Sequence, residues 1–524
     1  MINNTRKLPI GMQDFEDIRR EGYLYVDKTE YIYKLVNSGK PYFLSRPRRF
    51  GKSLFLSTLR AYFEGKKELF KGLKIAKLEE ETHAPWQEYP VFYFDFNKKN
   101  FKEKTAFEDI LDEHLKGWEE IYGDEYATEP LEARFRRLIV KAVELTGKNA
   151  VVLVDEYDKA LLEASDVEHI EHNKAVFKGF FSTLKSYDRY LKFVFITGVT
   201  KFSKVSIFSD LNQLNDISLD REYSGICGIT EDEIKECFRP EIETFSTSND
   251  ETYDDTIKGL KRMYDGYHFS RDSVGVYNPF SLLNAFAKKE YGMYWFSTGT
   301  PTFLIDKIKE SHFDPKVITE EELYVEENTL TDYCYDSVDP IPLFYQTGYL
   351  TITDFDKEFR SYRLGYPNDE VRYGFLRSLE PYFFQEEDGA NPLDVRSFVR
   401  SIRSGDTDSL CERFTALFAR LPYPTDERVI EQNFQNVIYI VFMLLGQYVV
   451  TELHSSKGRA DCIVETDDYV HIFEFKRDKS ADEALKQIED KGYAKPYTAD
   501  SRTLIKIGVN FNSREGNIDD WKAV

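Results

Sequence analysis

Short unbroken apolar runs punctuate the first half of the chain: Tyr42-Phe43-Leu44, Val151-Val152-Leu153-Val154 and Phe193-Val194-Phe195-Ile196. Their length and density predict strands buried on both faces, as in a parallel sheet. After the first run, Leu54, Leu56, Leu59 and Phe63 give one apolar face of a helix. Near the other end Ile430, Phe434, Val437, Ile438, Val441, Phe442 and Leu445 recur at helical spacing, and Gly446 supplies a stop. Residues 448–453, 460–465, 469–476 and 504–511 then read as four strands. Between the last two, Ser480 and Glu483 form a capping-box pattern that opens a helix ending near Gly492.

Between these regions, from 231 to about 400, charged helical segments alternate with aromatic islands such as Tyr264-Asp265-Gly266-Tyr267-His268-Phe269 and Tyr277-Asn278-Pro279-Phe280. Burial is the usual fate of such side chains, so they read as core and turn residues rather than a base-stacking platform, His268 included. Residues 341–349 predict a helix, 350–364 a hairpin and 371–384 another helix, an order that resembles a winged-helix module. A chain of 524 residues exceeds one core, and three domains are expected, at 1–235, 236–415 and 416–524. The fold class is α/β.

Hydrophobic residues make up 41% and aromatics 15%, enough to fill packed interiors, and no low-complexity tract argues for disorder. The start lacks an apolar signal core, and the longest apolar stretch, 437–445, is too short to span a bilayer. A cytoplasmic chain without membrane contact is expected. Five scattered cysteines show neither CxxC nor Cys/His spacing, which fits structural thiols in a reducing compartment and no zinc. The net charge of -22 opposes loose attraction to polyphosphate, so nucleic acid would have to meet a local basic surface.

Candidate chemistry begins where the first strand ends, in Arg46-Pro47-Arg48-Arg49-Phe50-Gly51-Lys52-Ser53. Strand, loop and helix are the setting of a P-loop, whose backbone N–H groups hold phosphate while Lys52 reaches the β/γ oxygens and Ser53 binds magnesium. Arg46 stands where the usual pattern has its first glycine. The run at 151–154 ends in Asp155-Glu156, and strand C-terminal ends are where ligands bind in such sheets. Asp155 is expected in the magnesium shell and Glu156 as the base for the attacking water. Thr197, preferred to Thr200, would present a hydroxyl near the γ-phosphate if its strand neighbours that of the loop. The plain alternative makes Gly51-Lys52-Ser53 a helix start and Asp155-Glu156 a helix cap.

In the last region the order helix, three strands, helix, strand is that of a restriction-endonuclease-like core. A two-residue turn at Asp467-Asp468 pairs Thr466 with Tyr469 and, stepping outward, Asp461 with Glu474. Two opposed carboxylates can share one magnesium, with Lys476 on the same face beside Glu474. That set suits phosphodiester hydrolysis, Lys476 holding the nucleophile or steadying charge. Glu431 could add a ligand and Gln487 could position substrate or water. The alternative is a solvated cross-strand charge cluster, against which Ile463, Val470 and Ile472 on the same face argue for burial.

Two resemblances bear on these readings. Through Tyr25-Val26-Asp27-Lys28-Thr29, the loop 46–53 and residues 151–158, about 5–235 resembles the AAA-ATPase-like domain of many bacterial proteins. Its arginine-rich loop is typical of that family, which implies nucleotide contacts from Arg46 and Arg49 with Gly51, Lys52, Ser53, Asp155 and Thr197. Asp27, Lys28 and Thr29 take no chemical role, since a polar helix start explains them as well. Through Gly458-Arg459-Ala460-Asp461, Glu474-Phe475-Lys476 and the helix 487–493, about 420–520 resembles the PD-(D/E)XK nuclease family. Together they imply ATP and Mg2+ as cofactors and nucleic acid as partner, DNA favoured over RNA, with homo-oligomers left open. The expectation is a nucleotide-regulated, metal-dependent nuclease. Its rival is a signalling or docking ATPase whose nuclease-like end only binds.

Overall fold

The computed structural model describes residues 6–524 apart from 83–85, 124, 126, 203–213, 297–310, 312–314, 319–322, 332–336, 338, 384–392, 421–426 and 454–459. Of 315, 381–383, 427–433 and 452–453 only the backbone is described. The chain divides into two compact units, one of Met1–Gly299 with Tyr324–Glu370 and one of Thr300–Leu323 with Val371–Val524. The segment 236–415, expected as a connector, is shared between them.

In the first unit the apolar runs form a five-stranded, wholly parallel sheet. Its strands are β1 (Pro41–Ser45), β2 (Val91–Asp95), β3 (Ala150–Asp155), β4 (Leu191–Gly198) and β5 (Asn215–Asp216), in the order β2-β3-β4-β1-β5. Every residue of β3 is buried, as its unbroken apolar run requires of a strand covered on both faces. Helix α1 (Lys52–Phe63) follows β1 and turns Phe55, Leu56, Leu59 and Phe63 inward. Position β4 lies between β1 and β3, so Leu44 is in register with Thr197 and Val154 with Ile196.

Four helices follow: α2 (Glu231–Cys237), α3 (Arg239–Ser248), α4 (Tyr253–Tyr264) and α5 (Pro279–Lys288). They bury a core of their own around Phe238, Phe245, Leu260 and Phe286, against which Leu24 and Val26 also pack. Next come β6 (Tyr324–Glu326), α6 (Ile341–Thr347), β7 (Thr351–Asp356) and β8 (Ser361–Gly365), the strands ordered β6-β8-β7. Helix, hairpin and helix thus occur where the pattern predicts them, with β6 added along the hairpin. The second of these helices, α7 (Asp369–Phe383), starts two residues early, and the division between the units falls within its first turn.

The second unit continues with α8 (Val395–Ser404), α9 (Thr407–Phe418) and α10 (Glu427–Leu445). A mixed sheet of β9 (Val450–Leu453), β10 (Cys462–Glu465), β11 (Tyr469–Arg477), β12 (Thr503–Asn512) and β13 (Asn517–Ala523) runs in sequence order. Helix α11 (Ala481–Lys491) links β11 to the parallel β12, opened by the Ser480 hydroxyl accepting from Glu483 N–H at 3.2 Å and closed by Gly492. Ile463, Val470 and Ile472 pack with Ile488 of α11, while Phe473 and Phe475 meet Phe442 of α10. Strand β13 was not expected. Asn510 pairs with Asp520 but Phe511 with Ile518, so Asp519 bulges out and breaks the two-residue period. Among the described residues no helix is long and apolar enough to cross a membrane.

Candidate functional sites

The loop after β1 joins the sheet directly to the start of α1. Arg46 N–H donates to Gly198 O at 3.2 Å, extending the β1–β4 ladder into the loop. Arg49 and Gly51 then take φ of 70 and 93°, and α1 begins at Lys52. Lys52 is buried and its Nζ spans the loop, donating to the carbonyls of Arg46 at 2.9 Å and Pro47 at 3.1 Å.

Asp155 ends β3, 1% exposed, and neither of its carboxylate oxygens meets a hydrogen-bond partner among the described residues. Burial pushes it up to about 7; the nearby Ser53 hydroxyl and Lys52 draw it down, without Ser53 reaching hydrogen-bond geometry, and Glu156 and Asp95 push it up. A buried carboxylate left this way fits a cation ligand, since without one its burial is costly. Glu156 follows in the left-handed region, at φ 50°.

A cavity of about 380 Å³ opens on the loop. It is lined by the polar Arg49, Lys52, Ser53 and Glu156 and by the apolar Leu24, Val26, Phe238, Phe280 and Leu283, among others. The Arg49 guanidinium sits 4.6 Å from the Phe280 ring centre and so links the polar lining to the apolar one. The apolar wall escaped the sequence reading. Its Phe280 belongs to an island whose partner lies more than two hundred residues earlier, and the Asn278-Pro279 pair at the start of α5 was the local hint that the ring heads a helix.

Three expected residues are placed differently from the cavity lining. Asp155 and Thr197 do not line it, although Ser53, close to Asp155, does. Thr197 Oγ1 is buried without a partner among the described residues, whereas Thr200 is committed to Asp158 through its N–H at 2.6 Å and hydroxyl at 2.7 Å. Arg46, expected among the nucleotide contacts, turns away. Its guanidinium donates to the carbonyls of Ser45 at 2.9 Å, Ser218 at 2.8 Å and Tyr223 at 3.2 Å, and lies 4.2 Å from the Phe269 ring centre. A buried guanidinium needs several acceptors, and these carbonyls supply them, so Arg46 fastens the loop from behind. Asp27 and Thr29 are likewise structural: Asp27 accepts from Thr29 N–H at 2.9 Å and from Lys74 N–H at 2.7 Å.

The second site lies at the open end of the β10–β11 hairpin. Cys462 pairs with Phe473, so one step outward Asp461 stands opposite Glu474, as counting from the turn predicts. Asp461 Oδ2 accepts from Phe475 N–H at 2.8 Å. Glu474 is 1% exposed; its Oε1 accepts from Lys476 Nζ at 2.8 Å and from Gln487 Nε2, while its Oε2 is buried without a partner among the described residues. Lys476 Nζ also donates to Gln487 Oε1 at 2.8 Å. Glu474, Lys476 and Gln487, from one strand and one helix, therefore meet, with Asp461 held close by on the Phe475 N–H.

Burial pushes both carboxyls above their ordinary range; the charge of Asp461 raises Glu474 further, and the Phe475 N–H and Lys476 oppose the rise at Asp461. Two neighbouring carboxylates, one of them with a buried oxygen lacking a partner among the described residues, suit a divalent cation. Among the described residues no third acidic, histidine or cysteine ligand joins them. The Glu431 side chain, and Gly458 and Arg459, lie outside the described residues.

Residues 9–208 match the family described as a predicted AAA-ATPase, and residues 429–521 match the PD-(D/E)XK nuclease superfamily. The whole chain is similar to an "uncharacterized protein in vnfD 5'region" of Azotobacter chroococcum mcd 1, 36% identical over 97% of each chain. With both matches falling on the two sites just described, the chain belongs to the family that joins an AAA-ATPase-like domain to a C-terminal PD-(D/E)XK nuclease superfamily domain.

Proposed function

We propose that this protein is a metal-dependent nuclease whose activity is regulated by ATP bound, and hydrolysed, in its first unit. The observation that carries the nuclease half is Glu474, buried with one free oxygen and held by Lys476 and Gln487 beside Asp461. Asp461 and Glu474 would hold Mg2+, with Glu431 as a further ligand from α10. Bound there, the ion supplies charge neutralisation at the scissile phosphate and a more acidic water. Lys476 holds the nucleophile or steadies the developing negative charge, and Gln487 fixes where Lys476 stands.

In the first unit the loop N–H groups and Lys52 would bind the β/γ-phosphates, and the carbonyls of Arg46 and Pro47 would give up the lysine to do so. Ser53 and Asp155 would hold the second Mg2+ and Glu156 would take the proton of the attacking water. The wall of Phe238, Phe280 and Leu283 suits the flat apolar faces of a base.

The deciding experiment is cleavage of single- and double-stranded DNA and of RNA with Mg2+, with and without ATP. Mg2+-dependent cleavage whose rate responds to ATP is expected, with DNA cut in preference to RNA. Nucleotide turnover with every nucleic acid left intact would replace the nuclease by a docking ATPase, the reading that the net charge of -22 favours.

A further inference from the structure

The outer side of the nucleotide loop is covered by residues from far along the chain. Pro47 packs on Gly348 so closely that a Cβ at Gly348 would lie 2.8 Å from the Pro47 Cβ. The Phe50 ring is 4.7 Å from that of Tyr267 and 5.5 Å from that of Phe269. Between these contacts the indole N–H of Trp295 donates to the Arg48 carbonyl at 3.4 Å. The ring of Trp295 is itself supported by Tyr349, 5.1 Å away.

Trp295 has a second attachment. Its backbone N–H donates to Glu370 Oε1 at 2.7 Å, and Glu370 is wholly buried in the first turn of α7. A buried carboxylate that loses a donor is costly, which ties the position of Trp295 to that of Glu370. Arg48 follows Arg46 and Pro47, whose carbonyls hold Lys52. A phosphate that drew Lys52 away would free the Arg46 and Pro47 carbonyls, adjacent to that of Arg48. Contacts of this kind transmit a change because packed interiors favour discrete arrangements over smooth deformation.

We infer that the contacts Arg48–Trp295–Glu370 carry the state of the nucleotide loop to the start of α7, a helix by which the chain passes into its second unit. This inference rests on the nucleotide-binding reading and adds the route by which binding is communicated.

The test uses the full chain and a non-hydrolysable ATP analogue with Mg2+. Analogue affinity and the backbone hydrogen exchange of α7 are measured together in the wild type, Trp295→Phe, Glu370→Ala and Glu370→Gln. In the wild type the analogue is expected to change exchange in α7 severalfold. Trp295→Phe keeps the ring but not the indole donor, and should bind the analogue with no exchange response in α7. Glu370→Ala should behave the same way, while Glu370→Gln, which still accepts from Trp295 N–H, restores the response. That rescue separates the relay from a general loss of packing, and it stands even if the tryptophan variant fails to fold. Wild-type binding with no change in α7, or a response that survives in Trp295→Phe and Glu370→Ala, overturns the relay and leaves the nucleotide reading standing. Absence of analogue binding in the wild type removes both.

Discussion

A Cβ placed on Gly508 of β12 would lie 2.3 Å from the carbonyl oxygen of Ala481, the first residue of α11. Helix and strand thus touch backbone to backbone. The seat is pinned by Asp520, whose Oδ2 accepts from Ala481 N–H at 2.7 Å. Gln487 is carried on this helix to Lys476 and Glu474.

Gly508→Ala should therefore push α11 off the sheet. An overpacked core contact costs about 1–3 kcal/mol, and a displacement near 1 Å is enough to spoil a positioned side chain. Unfolding by denaturant should show the loss of stability, and any cleavage activity should fall with it. A variant as stable as the wild type would mean that the helix is not seated on Gly508.

Lys52→Ala should weaken ATP binding by more than about tenfold, since it removes the loop ammonium expected to reach the β/γ-phosphates. It should also cost stability without nucleotide. Two hydrogen bonds tie Nζ to the Arg46 and Pro47 carbonyls, and bonds from a charged donor are worth about 1.5–3 kcal/mol. Calorimetric titration and thermal melting, run on the same preparation, check both halves.

Much of this was legible in the sequence because the signals are local. Apolar runs marked β1, β3 and β4, and counting outward from Asp467-Asp468 placed Asp461 opposite Glu474. What stayed hidden depends on tertiary contacts. Nothing near Arg46 indicates that its acceptors would be Ser218 and Tyr223, some 170 residues on. The strand at Asn517–Ala523 was masked by its bulge, and the apolar wall at Phe238, Phe280 and Leu283 exists only once the four helices pack.

Glu156→Gln should keep ATP bound and slow its hydrolysis by at least about a hundredfold, because the amide cannot take the water's proton while Asp155 still supports the cation. The left-handed backbone at Glu156 accepts glutamine no worse than glutamate, so folding should be unaffected. Hydrolysis at the wild-type rate would move the base elsewhere.

Burial pushes the Glu370 carboxyl from its ordinary 4.5 up to about 7, opposed by the Trp295 N–H. Between those values the native chain keeps a proton that the unfolded chain has given up. This residue's contribution to stability therefore falls as pH rises through that window and levels off above it. The tyrosines that feel its charge, Tyr264, Tyr267 and Tyr294, are themselves raised by burial and stay neutral there. From about pH 5 to pH 8, wild type should lose on the order of 1–3 kcal/mol relative to Glu370→Gln, which cannot titrate. Denaturant midpoints of the two proteins across that range give the difference, and parallel curves would contradict it.

The last prediction concerns the nuclease face. If Asp461 and Glu474 act on one divalent ion, Asp461→Ala and Glu474→Ala should each remove cleavage, and the double variant should be little worse than either, because residues acting as a unit are non-additive. Their effects on stability should differ. Asp461 accepts one backbone N–H, from Phe475, whereas removing the Glu474 carboxylate leaves the ammonium of Lys476 with Gln487 as its remaining partner in the cluster. Glu474→Ala should thus cost more than Asp461→Ala, and Glu474→Gln, which can still accept from Lys476, should recover stability without recovering cleavage. Lys476→Ala should retain Mg2+ binding by calorimetry while cleavage fails, since it removes the cation and leaves both carboxylates. ATP hydrolysis should continue in all of these variants, because none touches the residues of the first unit. Cleavage that persists in both single alanine variants would show that the hairpin's carboxylates do not carry the reaction, whatever their burial.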